Sequence, residues 1–219
     1  MSEQLPNAVC ACPGLALDHR ALDRDAAVGE DTGAIQTHLQ PLHGLLCRKQ
    51  GCAGRVIRRH NSAVDVLHAV LGSADDIEVT KEVPMSTHSD HRADLRVVKH
   101  HQSWYVDVTI TCPATEAQVR RQSHLQQGVA AVQAAQRKMA KYAPVLGQQF
   151  RRGSMEQVRG FMPFVVETGG IVHSASRDWL DDLLRDQPTT LSRCYKVLHE
   201  SLARHQGAML AKYLQSLHG

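Results

Sequence analysis

The sequence predicts an α/β fold, a small mixed sheet flanked by helices, behind an irregular N-terminal segment. Two observations carry this. Three stretches in the middle of the chain alternate apolar and polar residues with a period of two, and a continuous apolar run follows later. Around them lie longer stretches whose apolar residues recur every three or four positions, the period of a helix. The 219 residues fit one domain of moderate size, or one domain plus a small appendage. With 42% hydrophobic residues the chain can build a real core. Aromatic residues are only 4%, so aliphatic packing must dominate.

Taken in order, residues 1–45 show neither period; Gly, Asp, Ala and Pro recur there irregularly. A basic, Gly-containing link runs from Arg48 to Arg59. Asn61 or Ser62 is a suitable cap for a first helix carrying Val64, Leu67, Val70 and Leu71 on one face and stopping at Gly72. Ile77, Val79 and Val83 alternate with Glu78, Thr80 and Glu82 as a first strand. Ala93, Leu95 and Val97 form a second, and Trp104, Val106, Val108 and Ile110 a third, which Pro113 ends. A helical region runs from about Thr115 to Tyr142, with a break near Gly128. Phe161 to Thr168 suits a buried strand, and Gly169-Gly170 turn the chain. Helices near 175–185 and 190–217 finish it. The predicted division is an irregular Cys/His-containing segment at 1–55, a core at 56–188 and a C-terminal helix at 189–219.

The formal charge of +3 permits nucleic-acid binding without demanding it. Basic residues are bunched at Arg48-Lys49, Arg55, Arg58-Arg59-His60, Arg120-Arg121, Arg137-Lys138, Lys141 and Arg151-Arg152, a pattern that can track phosphates or simply meet water. No apolar run approaches a membrane span. Met1 to Val9 lacks the basic and apolar segments of a signal peptide, so the expected location is intracellular. In a reducing compartment the six cysteines suggest thiols or a metal site, not a disulfide frame.

Asp94 and Asp107 are the main candidates for chemistry. Each lies on the polar side of an alternating strand, and the link between the strands is short enough for an antiparallel hairpin. A loop centred between His100 and His101 pairs positions whose numbers sum to 201, which sets 94 opposite 107 on one face. Opposed Cβ atoms in a hairpin lie about 4.5–5.5 Å apart. Two carboxylates that close repel unless one is protonated or a cation sits between them. Mg²⁺ prefers such oxygens, usually one or two carboxylates with water and substrate phosphate. Two solvated aspartates on an exposed face would give the same spacing. A lysine often completes such a site, and Lys138 and Lys141 lie on the long helix, with Tyr142 on the face of Lys138.

Several segments carry a wider pattern: His43-Gly-Leu-Leu-Cys47, Arg59-His60-Asn61, Glu82-Val-Pro84 and Arg92-Ala93-Asp94-Leu95. It continues through Tyr105-Val-Asp107-Val-Thr-Ile-Thr-Cys-Pro113, Lys138-Met-Ala-Lys141-Tyr142 and Phe161-Met-Pro-Phe-Val-Val-Glu-Thr-Gly-Gly170. In order and spacing these resemble the restriction-like endonuclease domain that follows the reverse transcriptase in site-specific non-LTR retrotransposons. That domain belongs to the PD-(D/E)XK nuclease superfamily and is similar to archaeal Holliday-junction resolvases. The resemblance covers most of the chain from Cys10 onward. It implies a PD-(D/E)XK core and an Mg²⁺- or Mn²⁺-dependent DNA endonuclease that nicks its target in the nucleus. The implied partners are DNA and the reverse transcriptase of a parent element, with no membrane. Asp94 and Asp107 take the two acidic, metal-holding positions. The catalytic lysine, moved from the strand to the following helix, is Lys138 or Lys141, with Lys138 preferred, and Glu82 is a further acidic ligand. Arg59, His60 and Asn61, at the start of the first helix, and Tyr142 are the DNA-binding candidates. The proline usual before the first aspartate is Ala93 here, a change of backbone shape and not of ligand. A domesticated or catalytically dead DNA-binding module of the same fold is the alternative.

The family also places a CCHC-type metal knuckle before the core. Cys10, Cys12, His43 and Cys47 are the candidate ligands for a structural Zn²⁺, with His38, Cys52 and His60 as substitutes. Cys112 and Cys194 read instead as buried packing residues.

Overall fold

The computed structural model describes residues 53–85, 91–123, 125–149 and 157–218. These form helix α1 (Ala53–Leu71), strands β1 (Ile77–Pro84), β2 (Arg92–Lys99) and β3 (Gln102–Thr111), and a short helix α2 (Glu116–Val119). Helix α3 (Val129–Gln149), strand β4 (Gln157–Glu167) and helices α4 (Ser174–Leu183) and α5 (Pro188–His218) follow. The architecture is mixed α/β, with one four-stranded sheet in the order β1-β2-β3-β4 flanked by helices. Strands β1, β2 and β3 are antiparallel neighbours, whereas β4 runs parallel to β3 after the α3 crossover. Arg58–Arg204 forms one compact unit. The described residues outside it are the first turn of α1, 53–57, and the last turns of α5, 205–218. Among the described residues no helix is long and apolar enough to cross a membrane.

The sheet has two unlike faces because its strands alternate. Leu95, Val97, Val106, Val108, Phe164 and Val166 point to one side and join Leu67 and Leu71 of α1, Leu180 of α4 and Leu198 of α5 in the main core. The C-terminal helix expected from residue 189 begins at Pro188, and Cys194, Leu198 and Leu202 on it are part of that core. The opposite face meets α3 through small side chains: Ala131, Ala134 and Ala135 pack on Val165. Alanines let the helix lie close to the strands, which brings the longer side chains of its next turns within reach of the sheet.

Helix α1 starts at Ala53, not at an Asn61 or Ser62 cap. Residues 55–60 contain no glycine or proline to interrupt the first turns, so Arg59-His60-Asn61 lies inside the helix and offers no free N-terminus. Its end is where the glycine was expected. The Gly72 N–H donates to His68 O at 2.9 Å, and a Cβ on Gly72 would stand 2.9 Å from that same oxygen. The helical region expected from Thr115 to Tyr142 is broken before Gly128, which sits at φ 85°, and α3 continues through Pro144 to Gln149.

Strand β4 sits at the sheet's edge with Pro163 in it. Ser176, fully buried on α4, spans the gap: its Oγ donates to Pro163 O at 2.9 Å and accepts from the Val165 N–H at 3.1 Å.

Candidate active site

The β2–β3 hairpin fixes the first two site residues. His100 and His101 both take positive φ, 48° and 64°, as the two-residue turn favoured by hairpin twist requires. The register that follows pairs Leu95 with Val106 and Lys99 with Gln102, so every pair sums to 201. Asp94 and Asp107 stand one step beyond the last ladder pair, on adjacent antiparallel strands and on the face that α3 covers. There the backbone ladder gives way to a side chain: the Val108 N–H donates to Asp94 Oδ2 at 2.6 Å. Asp94 Oδ1 lies 3.3 Å from His60 Nε2.

Asp107 is 6% exposed and accepts from three side chains. Lys138, on α3, places Nζ 3.0 Å from Oδ1 and 2.8 Å from Oδ2. Tyr142, one turn further along the same helix, donates its hydroxyl to Oδ1 at 3.0 Å. Thr109, two residues on along β3 and so on the same face, donates to Oδ2 at 3.1 Å. Tyr142 is itself buried, with its ring 4.6 Å from that of Phe161, in a small cluster with Met85 and Ala93.

The electrostatics follow from these contacts. Burial, reinforced by the charges of Asp107 and Asp94, pushes the Tyr142 hydroxyl well above the ordinary tyrosine range, so it stays protonated and donates. The hydrogen bond to Asp94 raises His60 above an ordinary imidazole, against the opposing pull of desolvation. Asp94 and Asp107, with the four side chains around them, His60, Thr109, Lys138 and Tyr142, form one set drawn from α1, β2, β3 and α3.

The remaining candidates are placed differently. Lys141 reaches Tyr142 and not Asp107: Nζ is 3.3 Å from the Tyr142 hydroxyl and 4.7 Å above the ring centre. Glu82 is exposed on β1 at φ 53°, in the register position across from Asp94. Among the described residues no group of three or more His, Cys, Asp or Glu side chains is placed to hold a metal ion. Asn61 is exposed beside His60. Arg59 is buried at 4% exposure, its Nε and Nη1 without a hydrogen-bond partner, and desolvation lowers its pKa. Its place four residues before Ala63, on the helix face that packs into the core, takes it off the surface where a phosphate contact would lie. Cys112 and Cys194 are buried free thiols. Cys10, Cys12, His43 and Cys47, with the substitutes His38 and Cys52, lie outside the described residues.

Sequence reasoning missed Thr109 and the direct partners of Tyr142 and His60. The signal for Thr109 was present, since a polar residue two positions from Asp107 shares its strand face. Tyr142 on Asp107 could be read only with the α3–sheet contact in hand.

Two aspartates on neighbouring strands suit a hard divalent cation, because Mg²⁺ needs only one or two carboxylates and completes its shell with water and phosphate. The donor chemistry therefore fits Mg²⁺ or Mn²⁺. Comparison of the chain with models of known protein families finds no match, and comparison with curated proteins finds none either.

Proposed function

We propose that this core is a metal-dependent endonuclease that nicks DNA, of the restriction-like type carried by site-specific non-LTR retrotransposons. The observation that supports it best is the meeting of Asp94, Asp107 and Lys138. These lie on two strands and on a helix 31 residues further along the chain, yet Lys138 Nζ is within 3.0 Å of both Asp107 oxygens. The small mixed sheet flanked by helices agrees with a PD-(D/E)XK core. The retrotransposon origin, and with it a reverse-transcriptase partner, rests on the resemblance of the motifs.

Asp94 and Asp107 would hold the cation. When bound, it polarises the scissile phosphate and lowers the pKa of the attacking water. Lys138 offsets charge on the phosphate and orients the water. Tyr142 and Thr109 fix the Asp107 carboxylate, while His60 and the Val108 amide fix that of Asp94. Arg58, Arg120, Arg121, Arg137 and Lys141 are exposed and supply attraction to the DNA backbone.

A buried ion pair that merely fastens α3 to the sheet is the competing account of Asp107 and Lys138. A nicking assay on supercoiled DNA decides between them. Wild type should nick with Mg²⁺ or Mn²⁺. Asp107→Ala should not nick but should bind DNA as well or better, because a negative charge facing phosphate has gone. Binding without nicking by wild type at every metal concentration would leave a DNA-binding module. Equal nicking by both proteins would place the activity elsewhere.

A further inference from the structure

We infer that Lys138 is a displaceable counter-ion that closes the metal site until DNA arrives. The inference rests on the nuclease reading above and comes from counting acceptor sites. A carboxylate offers about four lone-pair positions. At Asp107 all four are taken: Oδ1 by Lys138 and Tyr142, Oδ2 by Lys138 and Thr109. Asp94 differs. Among the described residues it accepts one contact on each oxygen, from His60 and from the Val108 amide, which leaves room for a further ligand. One ligand of the pair is thus open and the other is closed by a positive charge.

For a cation to reach Asp107, one donor must leave. Tyr142 is 3% exposed and its ring is held by Phe161 and, edge-on, by His91. Thr109 is a short side chain on the strand that carries Asp107 itself. Lys138 is 30% exposed on a long flexible stem, and it holds both oxygens, so its departure frees one position on each. A DNA phosphate beside the aspartates gives its ammonium a second anion to pair with. Lysine release and cation entry are then one exchange, driven by the nucleic acid. Metal and DNA bind cooperatively, and the free protein is kept from loading metal and cutting at random.

The test is Mn²⁺ binding, followed by loss of the free-ion paramagnetic resonance signal. Wild type and Lys138→Met are titrated alone and with a short DNA duplex, and the duplex-only titration is subtracted. Without DNA, Lys138→Met should bind Mn²⁺ about tenfold more tightly than wild type, or more, the scale on which one adjacent charge shifts cation occupancy of a carboxylate. DNA should tighten Mn²⁺ binding by wild type more than by the variant, because its phosphate ligates the cation in both proteins while only wild type has a lysine to release. Equal affinities in the DNA-free proteins, with nicking by wild type intact, would overturn the lysine's role and leave the nuclease reading standing. No Mn²⁺ binding by either protein, with or without DNA, would overturn both. Lys138→Gln is the second variant, with folding of each checked by thermal melting. If neither folds, the inference fails, because a counter-ion the fold cannot release is not displaceable.

Discussion

Replacing Tyr142 by phenylalanine removes one atom from the site, and its cost can be worked from the geometry. The hydroxyl donates to Asp107 Oδ1 at 3.0 Å, with the tyrosine 3% and the aspartate side chain 6% exposed, so water cannot replace the bond. A hydrogen bond to a charged group contributes about 1.5–3 kcal/mol. The ring keeps its contact with Phe161, so no cavity is added. For a unit of this size each kcal/mol moves the melting temperature by about 2–4 °C, which predicts a fall of about 3–12 °C. Asp107→Ala as the second arm of a double-mutant cycle isolates the bond. In that background the hydroxyl has no acceptor, and Tyr142→Phe should be neutral or stabilising, a coupling of about 1.5–3 kcal/mol. Thermal melts of the four proteins, backed by urea unfolding, supply the numbers. If Tyr142→Phe costs the same with and without Asp107, the hydroxyl does not anchor the carboxylate, and the positioning role given to it is wrong.

Two further predictions concern the scaffold. Ser176→Ala should cost about 1–3 kcal/mol, because it leaves the buried Val165 N–H and Pro163 carbonyl without their shared partner; an unchanged denaturant midpoint would mean that something else satisfies them. Burial pushes the Cys194 thiol up to about 12, so at pH 8 it is a neutral thiol and should react with a disulfide reagent only as the protein unfolds; mass spectrometry showing prompt labelling of Cys194 in native buffer would refute this.

The hairpin was legible to the residue because a two-residue turn leaves one register, and the alternation on both strands agrees with it. That was enough to put Asp94 and Asp107 on one face without any knowledge of the rest. Lys138 and Lys141 were both candidates on the helix, and only the resemblance preferred Lys138, since a lysine on a helix looks alike whether it meets water or a carboxylate. Arg59 and the start of α1 were misjudged for a common reason. Asn61 and Ser62 are good caps, but a capping residue inside a helix is tolerated when the preceding turns contain no breaker, and the core then selects which face turns inward. The contact of His60 with Asp94 depends on how α1 sits against β2, which no local pattern encodes.

The way β4 is finished bears on how the protein behaves in a crowd. An outer strand normally exposes unpaired amides and carbonyls on which another chain can build. From residue 163 to 167 those groups are already spoken for. Pro163 has no N–H, and Ser176 takes its carbonyl and the Val165 amide. The His173 N–H donates to Val165 O, and the chain that returns through Ile171 and Gly170 takes both backbone groups of Glu167. At the opposite border β1 presents Glu78, Lys81 and Glu82 to solvent and ends on Pro84. Along 163–167 of β4 and along β1, the sheet therefore does not offer the unpaired, apolar template on which fibres start.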